Sequence, residues 1–176
     1  MKTIVSTAVQ SKSDLLSHHQ KTMFDDAQSI QTVEMEPGDA LWRFVSQKKK
    51  NRFSDCWVDR ETMKALMEVF RSWGDFSEKT KKKVVHDNLA ILEHWSKLNW
   101  RVKIEFKKSV IAYVGATGPQ KHFSDQPEVS QMFKSKVYRA TDHRIGGFKQ
   151  YVIPRFKGIK ESSSEEFATI SHFAHL

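Results

Sequence analysis

The chain has 176 residues, 39% of them hydrophobic, with twelve Phe and five Trp, which suffices for one domain with a bulky core. Its mean hydropathy is −0.58, and no apolar run approaches the ~20 residues that cross a bilayer, so a helical membrane protein is excluded. A single cysteine, Cys56, excludes an internal disulfide framework and a multi-cysteine zinc site, while a net charge of +8 points to an anionic partner, either nucleic acid or an anionic cofactor.

Residues 1–38 read as an N-terminal leader or helical extension. They are rich in Ser, Gln, Asp and His, lack the apolar block of a secretory signal, and show a helical pattern around Leu15, Leu16, Met23 and Phe24. Pro37-Gly38 closes the stretch as a turn signal. Ala40 to Ser46 is aromatic and β-branched, the composition of a strand. A basic loop containing Lys48-Lys49-Lys50-Asn51-Arg52 follows, then a short aromatic run from Phe53 to Val58. Asp59 is placed to cap a helix whose apolar face is Met63, Leu66, Met67, Phe70 and Trp73, with Gly74 at its end. Ser77 caps a second helix, with Val85, Leu89, Leu92 and Trp95 on its buried side. Its first turns hold Lys79 to Lys83, where the helix dipole disfavours cations. His86 and His94 stand eight apart, which is not the i, i+4 spacing of a helical metal pair.

Trp100 to Phe106 alternates cleanly, with Val102, Ile104 and Phe106 on one face, and predicts a half-buried strand. Ser109 to Val114 is a second extended run, which Gly115 is expected to stop. Residues 115–147 have no strong periodicity and read as a long functional loop. Phe148 to Ile153 is the next strand. The tail from Glu165 to Leu176 suits a helix through Phe167, Ile170 and Phe173, and equally a strand through Thr169 and Ile170.

Four short blocks, in order, resemble the ADP-ribosyltransferase superfamily, in particular the toxin domains at the ends of bacterial polymorphic secreted proteins. They are Leu41-Trp42-Arg43, then Phe53-Ser54 with Trp57, then Gly115-Ala116-Thr117-Gly118-Pro119-Gln120, then Gly146-Gly147-Phe148-Lys149-Gln150. The resemblance covers about residues 40–155. It implies an α+β fold, a split β-sandwich of the ADP-ribosyltransferase type with flanking helices, as a single domain over residues 39–176. It also implies NAD as the substrate, no metal, and transfer of ADP-ribose to a protein or nucleic-acid acceptor such as RNA or a ribonucleoprotein. An immunity protein would be a further partner. The site of action would be a reducing cytoplasm, reached through a secretion system without a cleavable signal peptide and with no membrane partner.

On that resemblance Arg43 and Gln150 are the catalytic candidates, with Arg43, Phe53, Ser54, Trp57, Gln120, Gly147 and Tyr151 binding the dinucleotide. Guanidinium suits a diphosphate because it is a planar, permanently charged fork. Phe53 and Trp57 suit stacking on a base, and Trp57 equally suits plain core packing. The family's best-known members carry Glu where this strand carries Gln150. A glutamine hydrogen-bonds a ribose hydroxyl but supplies neither negative charge nor a general base. The basic surface also fits a nuclease using His122, Asp125, Asp142 and His143, or a nucleic-acid-binding module, and the glutamine fits an inactive transferase-like scaffold.

Overall fold

The computed structural model describes residues 3–6, 16, 23–25, 30–46, 56–74, 76–92, 95–123, 128–129, 136–137, 140–154 and 167–176. Along these the chain runs through β1 (Thr3–Ser6), β2 (Gln31–Met35), β3 (Ala40–Val45), β4 (Cys56–Trp57), α1 (Arg60–Trp73) and α2 (Glu78–Asn88). It continues through β5 (Trp100–Phe106), β6 (Val110–Ala116), β7 (Gln120–Phe123), β8 (Glu128–Val129), β9 (Lys136–Val137), β10 (Ala140–Arg144), β11 (Lys149–Val152) and β12 (Ala168–His175).

Side-chain alternation sets which face each strand buries. A five-stranded antiparallel sheet has the order β1-β2-β6-β11-β4, and a three-stranded one the order β12-β5-β3. They share a core in which Met35, Trp57, Val114 and Tyr151 from the first sheet meet Leu41, Val102, Ile104 and Phe106 from the second. The sheets adjoin at β3 and β4, where Trp42 and Val58 exchange two main-chain hydrogen bonds of 2.8 Å. The outer face of the larger sheet carries a second cluster, in which Tyr113 and Val152 pack with Leu16, Phe24 and Ile30. β1 and β2 thus lie within the stretch 1–38, and β2 pairs with β6 over its whole length.

The helices cover the far side of β3. Leu66 and Phe70 of α1 and Val84 and Val85 of α2 pack with Phe44, Val58, Leu89 and Leu98. Local chemistry fixes their ends as the sequence predicts. Asp59 accepts a hydrogen bond from Thr62 N at 2.8 Å, Gly74 takes φ 64° at the end of α1, and Ser77 accepts from Thr80 N. Together these make an α+β single domain of antiparallel sheets with two helices among the described residues. None of those helices is long and apolar enough to cross a membrane.

Several expectations are corrected. Trp73 does not join the core: it is 50% exposed, beneath the Lys83 ammonium. The second helix stops at Asn88, because Ala90 turns left-handed at φ 49°, so Leu89 and Leu92 are buried from the following turn and Trp95 lies off the helix. Gly115 does not end its strand, which runs on to Ala116. A Cβ there would come within 2.8 Å of the Phe24 ring, so the glycine makes room for packing. Residues 115–147 are not one long loop, for β7 pairs with β10 and β8 with β9. Two-stranded ribbons need no buried apolar stripe, so periodicity does not announce them. The tail resolves as a strand, with β12 antiparallel to β5.

Candidate functional site

A cleft of about 370 Å³ opens where β3, β4 and β11 come together. Arg43 reaches it from β3, Cys56 and Trp57 from β4, Gln120 from the start of β7, and Gln150 from β11. The opposite wall is the connection after α2, which contributes Leu89, Ala90, Ile91, Trp95 and Ser96. Among the described residues that line it, Arg43 is the only charged side chain and none is a carboxylate.

Gln150 is 7% exposed and its Nε2 donates to the Met23 carbonyl oxygen at 2.7 Å. A carbonyl can only accept, so the contact fixes which way the amide points and leaves Oε1 as its acceptor end. The same Met23 oxygen receives Gly118 N at 2.8 Å, and the Cys56 thiol lies 3.3 Å from the Met23 sulfur. Arg43 is half-buried between Leu41 and Val45, two residues of the shared core, and alternation puts all three on one side of β3.

The strand carrying Gln150 is positioned by the end of α2. The Asp87 carbonyl accepts from Gly146 N at 2.8 Å, and the Asn88 carbonyl accepts from Phe148 N at 3.2 Å and from the Thr117 hydroxyl at 3.1 Å. Gly146, at φ 77°, has to be glycine on two counts, since a Cβ would stand 2.4 Å from the Thr117 oxygen. The Asp87 carboxylate binds Lys83 at 2.6 Å and Arg144 at 2.7 Å. Partial burial pushes its carboxyl up, but the hydrogen bonds from Lys83 and Arg144 outweigh this and hold it below the ordinary aspartate range.

The wall after α2 is held in a strained shape. Ala90 and Leu98 have φ of 49° and 51°, left-handed backbone that costs a side-chain-bearing residue on the order of 1–2 kcal/mol each. Buried His86 holds one end, its Nδ1 donating to the Ile91 carbonyl at 2.6 Å. At the other end Lys97 N donates to the Ser46 hydroxyl at 2.8 Å and Asn99 Nδ2 to the Ser46 carbonyl at 3.1 Å.

Of the residues singled out from sequence, Arg43, Trp57, Gln120 and Gln150 line this cleft, although Trp57 is 2% exposed and belongs chiefly to the core. Tyr151 does not line it. Its ring packs in the shared core and its hydroxyl donates to Asp59 Oδ2 at 2.9 Å, beside the Lys149 ammonium at 2.7 Å from the same oxygen. Burial, and then the Asp59 charge, push that phenol far above the ordinary tyrosine value, so it keeps its proton. Gly147 does not line the cleft either; it is a left-handed turn residue at φ 101°, with its N–H on the Thr117 carbonyl. Phe53, Ser54, Asp125, His94 and the basic loop at 48–52 lie outside the described residues. His122 and Asp142 are opposed across the β7–β10 ribbon. Among the described residues no group of three or more His, Cys, Asp or Glu is placed to hold a metal ion.

Sequence reasoning missed Met23, which holds Gln150, and the wall made by Leu89, Ala90, Ile91, Trp95 and Ser96. A main-chain carbonyl contact leaves no mark in sequence, and neither left-handed residue is a glycine. Its described residues offer one permanent cation, two amides and an apolar wall, a combination that suits a flat, partly aromatic anion.

No family model matches the chain, and no curated protein matches it in sequence. Among solved structures it is similar to Rhs1-CT, seen in complex with its cognate immunity protein RhsI1, at 14% identity and a TM-score of 0.49, over 84% of this chain and 82% of that one. It is also similar to Tne2, seen in complex with Tni2, at 14% identity and a TM-score of 0.43, over 84% of this chain and 92% of that one.

Proposed function

We propose that the cleft binds NAD and that the chain is an ADP-ribosyltransferase-type toxin domain of a bacterial effector, its two main sheets forming the split β-sandwich of that superfamily. The observation that carries this reading is convergence: Arg43, Trp57, Gln120 and Gln150, each from a different one of the four blocks that resemble the superfamily, line a single cleft. Arg43 grips the diphosphate. Gln150, its nitrogen committed to Met23, offers Oε1 to a hydroxyl of the nicotinamide ribose.

The bond between the ribose anomeric carbon and the nicotinamide nitrogen breaks, its electron pair leaving with neutral nicotinamide and positive charge developing on the sugar. Among the described lining residues, acceleration comes from positioning and from preorganised amide dipoles. The acceptor's nucleophilic atom then bonds to the anomeric carbon and its proton passes to solvent. A macromolecular acceptor, RNA or a ribonucleoprotein, suits the basic surface. A neutralising immunity protein and action in a reducing cytoplasm belong to the same reading, and a chain with one cysteine, Cys56, is in keeping with the latter.

A second reading, a nuclease, draws on the opposition of His122 and Asp142. One experiment separates the two. Incubation with labelled NAD and a cell lysate should release nicotinamide or transfer label. Arg43→Ala and Gln150→Ala should each lower turnover by on the order of 100-fold or more, with the circular dichroism spectrum retained. Undiminished turnover in both variants removes the assigned site. Cleavage of RNA that a chelator stops, without NAD turnover, favours the nuclease.

A further inference from the structure

Trp95 is 43% exposed, yet it lines the cleft. It sits in the connection bracketed by the left-handed residues Ala90 and Leu98, and that connection is fastened to the end of β3 through Ser46. Strained backbone persists only where surrounding contacts over-determine it, and such segments cluster at ligand sites. Here the strain and its fastenings present a large aromatic ring to solvent instead of burying it.

Topology gives the order of parts. Gln150 lies on β11, which pairs with β4; β4 adjoins β3, which carries Arg43; and the Trp95 connection is fastened beyond it. Two strand spacings, on the order of 10 Å, separate β11 from β3. A dinucleotide has the same sequence of parts: a base and ribose at the reacting end, a diphosphate, then a second ribose and base.

Resting on the NAD reading above, we propose that Trp95 is the platform on which the adenine ring stacks, with Ile91 beside it, so that the α2–β5 connection determines which nucleotide the cleft accepts. The indole offers a flat, polarisable face to a heteroaromatic base, and stacking of this kind contributes substantially to binding without reading a hydrogen-bond pattern.

Calorimetric titration of the full chain with ADP, with nicotinamide mononucleotide and with NAD tests this. Trp95→Ala should weaken ADP binding by roughly tenfold or more, while Trp95→Phe, which keeps an aromatic face, should stay within about threefold of the parent. Nicotinamide mononucleotide, which lacks adenine, should bind the parent and both variants alike. Unchanged ADP affinity in Trp95→Ala, with NAD still turned over, overturns the adenine platform and spares the NAD reading. Equal loss of ADP and nicotinamide mononucleotide also overturns it, because the residue would then shape the wall without selecting a base. A parent chain that binds none of the three ligands removes the NAD reading itself.

Discussion

Gln150 faces a main-chain oxygen, and that accounts for an amide in place of an acid at this position. The Met23 carbonyl accepts two donors, Gly118 N at 2.8 Å and Gln150 Nε2 at 2.7 Å, and only a donor fits at the second place. A carboxylate in its place would set two acceptors against each other in a site that is nearly closed to solvent. Gln150→Glu is therefore expected to lower stability by about 1–3 kcal/mol at neutral pH instead of improving catalysis. The sign with pH follows from the burial of the new acid. Its folded-state pKa would rise above the unfolded value, so the deficit is smallest at acid pH, where both states are protonated, and widens as pH rises through the carboxylate range. Urea unfolding of parent and variant across pH 3–8 measures it, and a deficit that shrinks as pH rises contradicts the account. Trp57, Tyr151 and Gly147 show a different lesson. Burial on adjoining strands makes two of them core, and a left-handed turn accounts for the third.

At the scale of elements, the end of α2 organises the site. Its last two carbonyls hold the turn that leads into β11, and the Asp87 carboxylate ties the helix to Lys83 within it and to Arg144 at the end of β10. Because the Asp87 pKa is lowered in the folded chain, the stability it contributes is fully present above the ordinary aspartate value and is lost as pH falls through the lowered one. Asp87→Asn should thus be less stable than the parent at pH 7, with the difference narrowing below pH 4; thermal unfolding at the two pH values checks this. Element ends of this sort were readable from sequence where chemistry is local. The caps at Asp59, Gly74 and Ser77 were legible because each satisfies or terminates its own helix. β5 was legible because alternation of Val102, Ile104 and Phe106 records which face is buried. The end of α2 was not, because Ala90 and Leu98 adopt positive φ without being glycine, with the connection held by His86 at one end and by Ser46, distant in sequence, at the other. Nor were β7 to β10, whose pairing leaves no apolar periodicity.

At the scale of the molecule, the sheets meet along β3 and β4, and the cleft lies at that junction with α2 and its strained connection closing the far side. The order of short blocks anticipated that residues 43, 120 and 150 would meet, while strand order and the identity of the opposite wall depend on pairings that composition does not encode. β12, which completes the smaller sheet, suited helix or strand equally until its partner β5 was known. The central claim is that Arg43 and Gln150 grip one dinucleotide between them. A crystal structure of the chain with a non-hydrolysable NAD analogue tests it most directly. The account predicts the diphosphate within hydrogen-bonding reach of the Arg43 guanidinium and a nicotinamide ribose hydroxyl donating to Gln150 Oε1. An analogue bound elsewhere on the chain, or in the cleft with its diphosphate turned away from Arg43, would contradict it.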